Sequence, residues 1–393
     1  MTVVVHVLEA LEGGTARHVS DLVTRVAGVE HHVAVPPSRV GGVTAVEAVE
    51  EMEAAGATIH RIDMRRLPLS PRNATALWEL GRLVRRVRPD VVHGHSSAGG
   101  ALARLAAATV GGARSGTGGG GAGGGGAGGA GRPRRIYTPN GVYPGAPAAA
   151  AERGFGPLTD RLVAVSESEA RLVAIRAIVP EERIVVIRNG IDPTPPPPGG
   201  PDLRAQLGID AGVPLIGFIG RLVPQKAPGL VVEAAGILLR QGVEAVTVMI
   251  GSGPLSGEVD RAIRDLSLTS RVRRVGHLSR AATVIGQLDV LVLPSLYEGC
   301  PYAPLEAMRA GVSVVLSDAT GNRDVVDHGR TGLLFPPGDA ASLAGAVSLL
   351  LSDAALRDRL TAAARERLAA DFDITDMAAA TGRLYAEETA ARG

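Results

Sequence analysis

The sequence predicts an α/β protein made of two Rossmann-like, doubly wound domains. Three observations carry that prediction. Short β-branched runs alternate with longer helical patterns along most of the chain, the mark of βαβ units and parallel sheets. The alternation falls into two series separated by a stretch rich in proline and glycine. The 393 residues exceed one ordinary core and fit two domains of under about two hundred residues each.

In the first series, strands are expected at Val3–Leu8, His32–Pro36, Thr58–Ile62, Val91–His93, Arg135–Thr138, Leu162–Val165 and Ile184–Ile187. The opening Met1–Leu8 has no basic leader region and meets acidic Glu9 and Glu12 at once, so it reads as a first strand and not as a signal peptide. Residues 111–131 are mostly glycine and cannot bury enough apolar surface to offset their ordering entropy; a disordered insertion is expected there.

The first domain is therefore assigned to 1–190, with a linker over 191–213. There Asn189-Gly190 and Ile191-Asp192 run into a stiff segment of five prolines. The second domain, 214–370, carries expected strands near Leu215–Ile219, Ala245–Ile250, Val272–Val275, Val290–Leu293, Ser313–Leu316 and Gly332–Phe335. From Ala340 the chain is alanine-rich and helical by propensity, and 371–393 forms a separate last helix, with a return to the first domain as one course open to it.

Composition narrows the function classes. A net charge of +1 lacks the broad positive field of a non-specific nucleic-acid binder, so no nucleic-acid partner is expected. The single cysteine, Cys300, rules out an internal disulfide and a cysteine zinc cage, and a reducing, cytoplasmic setting fits. No apolar run approaches a membrane span. Of the 41 basic residues only Lys226 is a lysine, which marks a place where a compact ammonium is wanted.

The densest chemical signal is Tyr297-Glu298-Gly299-Cys300-Pro301-Tyr302-Ala303-Pro304-Leu305-Glu306, just past the strand Val290–Leu293. A strand end, a glycine turn and a proline at the first helical position build an exposed helix N-terminus, an anion site suited to a diphosphate. Glu298 ahead of that helix can face sugar hydroxyls and Glu306 in its second turn can bind ribose; the plain alternative is a capping acid and a surface helix acid. The second signal is Gly220-Arg221-Leu222-Val223-Pro224-Gln225-Lys226, directly after Leu215–Ile219, where two cations stand at a parallel strand's carboxyl end and suit phosphate oxygens without a metal.

Two weaker signals lie in the first half. The loop Glu12-Gly13-Gly14-Thr15-Ala16-Arg17-His18 lets backbone approach a phosphate or an acceptor, and His18 can orient a hydroxyl. His93 and His95 point the same way from one strand and suit either a metal or an acceptor pocket, the metal reading lacking a carboxylate or cysteine partner. Arg82, Arg85 and Arg86 recur at helical spacing, as on a solvated face or one touching an anionic membrane.

Taken in order, these segments resemble the retaining glycosyltransferases of family 4 (group 1). The most specific part is the acid pair Glu298 and Glu306, preceded by Gly-Arg-Leu-x-Pro-x-Lys at Gly220–Lys226. The resemblance implies the GT-B fold, two Rossmann-like domains facing across a cleft. It implies a catalytic set of Glu298, Arg221 and Lys226, in which Arg221 and Lys226 clamp the diphosphate and Glu298 contacts the donor sugar. Glu306 would bind the ribose, and Gly299, Cys300, Pro301, Tyr302 and Ala303 would form the donor loop. Val165-Ser166-Glu167-Ser168-Glu169 and Arg188-Asn189-Gly190-Ile191-Asp192 also look like family signatures and support the boundary more than the chemistry. Asn140, in Tyr137-Thr138-Pro139-Asn140-Gly141, stands where many members carry histidine, and an amide hydrogen-bonds but is no base.

The resemblance implies hexosyl or N-acetylhexosaminyl transfer from a nucleotide diphosphate sugar, UDP-sugar first and GDP-sugar second, in polysaccharide or related biosynthesis. The acceptor would be a glycan, a lipid-linked sugar or a small molecule, met by Gly13, Gly14, His18, His95 and Asn140. No cofactor and no metal are expected, and peripheral contact with the inner membrane face is compatible with it. The rivals are a GT-B phosphorylase with pyridoxal phosphate on Lys226 and a non-catalytic nucleotide-sugar-binding protein. A nicotinamide oxidoreductase is disfavoured because no Gly-x-Gly-x-x-Gly opens either half.

Overall fold

A computed structural model describes residues 1–11, 13–37, 42–65, 70–71, 73–110, 132–143, 145–195, 200–278 and 281–391. The expected glycine-rich insertion at 111–131, Glu12 and linker residues 196–199 lie outside the described residues. Thirteen strands form in the described chain: β1 (Thr2–Val7), β2 (Val29–Val35), β3 (Thr58–Arg61), β4 (Val91–His95), β5 (Arg134–Thr138), β6 (Arg161–Ala164) and β7 (Ile184–Val186), then β8 (Leu215–Ile219), β9 (Val246–Ile250), β10 (Val272–Gly276), β11 (Val290–Leu293), β12 (Ser313–Ser317) and β13 (Leu333–Phe335). Every strand expected from the sequence is present, with ends shifted by up to three residues. Sheets buried on both faces read as near-continuous apolar runs, which is why they were legible.

The chain divides into two compact units. One comprises Met1–Ala164, Ala170–Ile187 and Ala378–Gly393; the other comprises Val165–Glu169 and Arg188–Met377. Val165–Glu169, placed by sequence in the first domain, thus belongs with the second, and the first unit regains the end of the last helix. Local composition cannot reveal this, because membership is set by which sheet the segment packs against.

The first unit holds a parallel sheet in the order β3-β2-β1-β4-β5-β6-β7. Its helices bury one stripe each. In Asn73–Val87, Ala76, Leu80, Leu83 and Val84 recur at helical spacing and are buried, while Trp78, Arg82, Arg85 and Arg86 stay exposed. Arg104, in the helix Ser97–Ala108, is fully enclosed between the rings of Tyr137 and Phe155, 4.0 and 4.9 Å from their centroids, and pairs with Glu152 at 3.0 Å. The end of the chain docks here as well: Glu388 takes Arg134 at 2.6 Å and Arg161 at 2.9 Å.

The second unit holds a parallel sheet in the order β10-β9-β8-β11-β12-β13, around a core that includes Phe218, Val248, Leu291, Leu305 and Val315. In both sheets the winding reverses direction beside the first strand, between β1 and β4 and between β8 and β11. Open α/β sheets bind ligands at the carboxyl ends of strands flanking such a reversal.

Candidate active site

The second unit brings the two strongest sequence signals to one reversal point. β8 ends at Ile219 and delivers Gly220–Lys226; β11 ends at Leu293 and delivers Ser295–Ala303. There the Lys226 ammonium donates to the Glu298 carboxylate, with both side chains largely shielded. Gln225 ties the same loops together: its side-chain amide donates to the Tyr297 carbonyl at 2.9 Å, and its backbone carbonyl accepts from Leu296 N at 2.8 Å. Arg221 is half-buried in the loop after β8, and Glu306 is half-buried in the second turn of the helix Tyr302–Ala310.

One detail differs from expectation. Pro301 is the cap of that helix and not its first residue, because its backbone is extended (φ −73°, ψ 133°). Pro301 and Pro304 carry no N–H, so Tyr302 and Ala303 are the positions of the first turn with a backbone donor, and neither acid nor side-chain cap occupies the turn. The result is a helix start with two backbone N–H positions in its first turn. Cys300 is buried and its thiol is pushed up to about 12 by that burial, so it is a packing group and no nucleophile.

The sequence reading missed Gly251-Ser252-Gly253, at the carboxyl end of β9. A Cβ on Gly251 would lie 2.0 Å from the Gly220 carbonyl oxygen, and one on Gly253 would lie 2.4 Å from that of Leu222. Leu222 N donates to Ser252 O at 2.9 Å, so these glycines hold the Arg221 loop in place. Paired glycines at a strand end were the available signal.

In the first unit the weaker signals acquire company. Residues paired across parallel strands share a face, and the registers Val4 to His31, His6 to His93 and His95 to Thr138 align His31, His6, His93, His95 and Thr138 on one face across four adjacent strands. His6 Nε2 lies 3.1 Å from His31 Nδ1, and His6 Nδ1 lies 3.1 Å from His95 Nε2. His93 spends both nitrogens, on Tyr385 Oη at 2.7 Å and on Thr138 Oγ1 at 2.8 Å.

The tautomers follow from the far end of the row. His31 Nε2 faces the Val26 carbonyl at 3.4 Å, and a carbonyl only accepts, so that nitrogen carries the proton. His31 Nδ1 then accepts from His6 Nε2, and His6 Nδ1 accepts from His95 Nε2. His95 Nδ1 is left as a buried lone pair with no hydrogen-bond partner. Burial first, and neighbouring imidazoles second, hold His6, His93 and His95 well below the ordinary 6.5, so all three are neutral. Ligating atoms of His6, His93 and His95 lie within 4.8 Å of one another. His6 and His93 spend both ring nitrogens on hydrogen bonds and His95 spends one, so no metal is assigned to the set.

His18 is buried, and its ring meets His95 edge-on at 5.6 Å. Gly13 opens the helix Gly13–Arg25 at φ +71°, a conformation that suits glycine. Asn140, just beyond β5, is left-handed at φ +56°, which asparagine tolerates, and its amide nitrogen is a buried donor with no hydrogen-bond partner. Glu9 was not singled out by sequence. Its carboxylate accepts from Ser96 Oγ at 2.5 Å and Gly99 N at 3.0 Å, so it fills the N-terminus of the helix Ser97–Ala108. The Gly13 and Gly14 turn has no acid in its first turn.

A glycosyltransferase from Rickettsia africae superposes with a TM-score of 0.75 at 18% identity over 98% of each chain. Anabaena HepE in complex with UDP and glucose superposes with a TM-score of 0.79 at 16% identity, over 98% of this chain and 100% of that one. Sucrose-phosphate synthase from Thermosynechococcus elongatus superposes with a TM-score of 0.77 at 19% identity over the whole of both chains. The fold is therefore GT-B.

Residues 12–194 match the family described as Glycosyltransferase Family 4, and residues 201–367 match Glycosyl transferases group 1. The chain belongs to the group 1, family 4 glycosyltransferases. Among its relatives, the D-inositol 3-phosphate glycosyltransferase of Nocardia farcinica is 34% identical over 51% of this chain and 46% of its own length. The alpha-maltose-1-phosphate synthase of Mycolicibacterium smegmatis is 32% identical over 61% and 66%. The UDP-Gal:alpha-D-GlcNAc-diphosphoundecaprenol alpha-1,3-galactosyltransferase of Escherichia coli is 27% identical over 72% and 71%. Against the first two the chain spans about half to two thirds of the relative's length.

Proposed function

We propose that the chain is a retaining glycosyltransferase that moves a hexosyl or N-acetylhexosaminyl group from a nucleotide diphosphate sugar to an acceptor hydroxyl. The observation that carries this reading is the convergence of the only lysine, Lys226, with Glu298 and a two-donor helix terminus at the β8 and β11 reversal. Arg221, Lys226 and the Tyr302 and Ala303 N–H groups bind the diphosphate, Glu306 the ribose and Glu298 the donor sugar. Gly299 and Cys300 complete the loop, while Pro301 shapes it and donates nothing. Charge builds on the leaving diphosphate as the glycosidic bond breaks, and preorganised donors aimed at that charge are the largest contribution a protein makes to such a step. The acceptor attacks from the face the diphosphate leaves, and a diphosphate oxygen takes its proton, so no side-chain base is required.

Because two cations and a helix terminus supply positive charge, the reaction is assigned no metal and no cofactor. UDP-sugar is the favoured donor, in line with the UDP of HepE and the UDP-Gal in the name of the E. coli relative, and GDP-sugar is the second candidate. The acceptor, a glycan, lipid-linked sugar or small molecule in polysaccharide or related biosynthesis, is assigned to the first unit. There Gly13 and Gly14 offer backbone, His18 and His95 line the strand end, and the Asn140 amide donates. A cytoplasmic location with peripheral contact at the inner membrane face belongs to the same reading.

The test is a thermal-shift series with uridine, guanosine and adenosine diphosphate sugars, since a ligand specific to the folded state raises its melting temperature. UDP-sugar should give the largest shift, and no shift with any of them overturns the reading. Lys226→Ala should lower turnover by about a hundredfold or more with circular dichroism unchanged; wild-type turnover would remove Lys226 from the mechanism.

A further inference from the structure

Two sequence segments remain unused by that chemistry, Val165–Glu169 and Arg188–Asp192, and both belong to the second unit. Asn189 is buried, and its side-chain nitrogen donates to the Cys300 carbonyl at 2.8 Å. The direction of the amide is not ambiguous, because a carbonyl cannot donate. Cys300 is the residue before the Pro301 cap, so this bond fixes the peptide that aims the helix start.

Ser168 holds the opposite side of the same loop. Its hydroxyl accepts from Gly321 N at 2.8 Å and donates to Asp324, whose other oxygen accepts from Ser168 N at 3.0 Å. Gly321 in turn presses on the donor loop: at φ +82° a Cβ there would lie 2.3 Å from the Gly299 oxygen and 2.7 Å from the Glu298 oxygen. Glu298 N also donates to Thr320 O at 2.9 Å. The two segments are braced to each other by Arg188 and Glu167 at 3.5 Å. Glu169 further locks the first of them, its carboxylate accepting from Val165 N at 2.8 Å and its N–H donating to Ser166 Oγ at 3.2 Å.

We propose that Asn189 and Ser168 are positioning residues for nucleoside diphosphate binding: Asn189 fixes the Cys300 peptide, Ser168 fixes the Thr320–Gly321 turn, and together they set where Glu298 and the Tyr302 and Ala303 N–H groups stand. This rests on the donor-site reading above. Neither side chain touches the ligand; each acts through the loop. A displacement of the loop by a few tenths of an ångström stretches both backbone bonds to the diphosphate at once, which makes affinity for the nucleotide the sensitive quantity.

The experiment is isothermal titration of the full chain with UDP, repeated with GDP, for the wild type, Asn189→Asp, Ser168→Ala and Asp289→Ala. Asn189→Asp keeps the shape and replaces the donor with an oxygen facing the Cys300 oxygen. Asp289→Ala is the stability control: it removes an acceptor 2.7 Å from Leu215 N, at the amino ends of β8 and β11, the opposite edge of the sheet. Asn189→Asp should weaken nucleotide binding by about tenfold, and Ser168→Ala by about fivefold, with the control unchanged. Ser168→Ala decides the matter if Asn189→Asp does not fold. Losses below about threefold in the folded variants, or an equal loss in the control, overturn the assignment. A wild type that binds neither nucleotide sinks the donor-site reading itself.

Discussion

Acidification from about pH 7.5 to about pH 5.5 should destabilise the first unit through its histidine row. His6, His93 and His95 are enclosed and neutral, with their proton affinity held down by burial. In the unfolded chain each takes up a proton as the pH falls through about 6.5, while the folded chain takes up none in this window. The unfolded state therefore binds more protons, and stability falls with pH. At about pH 5.5 each histidine costs about RT ln(1 + 10), roughly 1.4 kcal/mol, so the three cost about 4 kcal/mol. Asp21 acts the other way. Burial raises its carboxyl to about 6, so the folded chain takes up that proton first, and the same acidification returns about 0.8 kcal/mol.

These four groups give a loss of about 3 kcal/mol, and His31 and His60, whose proton affinity burial also holds down, add to it in the same direction, a large share of the 5–15 kcal/mol that roughly bounds domain stability. Urea unfolding at the two pH values measures it, followed by the emission of Trp78, the chain's only tryptophan, which lies in the first unit. His6→Phe removes one titrating group and should reduce the loss by about 1.4 kcal/mol. Stabilities within about 1 kcal/mol of each other would refute the reasoning, because they require the row to take up protons without unfolding.

Two further outcomes follow from the first unit. Arg104→Ala strands Glu152 beside Tyr137 and should lower stability by about 3–5 kcal/mol in the same urea assay; a loss under about 1 kcal/mol would show the ion pair to be solvated. Trp78 is 57% exposed with the Arg82 guanidinium 4.7 Å from its ring centroid, and Arg85 and Arg86 are exposed on the same helix. Vesicles of phosphatidylglycerol should shift its emission to shorter wavelength, and vesicles of phosphatidylcholine should not; identical spectra would remove this face as a membrane contact. Among the described residues no single helix is long and apolar enough to cross a membrane.

What the sequence determined by itself was everything that repeats locally. Strands buried on both faces leave unbroken β-branched runs, so β8 and β11 were readable to the residue, and the groups that follow a strand end, Arg221 and Lys226 or Glu298 and Glu306, were readable as site candidates. Periodicity reports which face a side chain takes but not which strand lies beside it. The histidine row exists only because β1 inserts next to β4, setting His6 against His93, 87 positions later in the chain. Likewise Ser168 and Asn189 looked like boundary markers until the packing of the second unit set them behind the Glu298 loop, and Glu9 became a helix cap only when the chain returned to it at Gly99. Such contacts are decided by strand order and by burial of a common core, and a free energy shared among distant residues leaves no pattern along the chain.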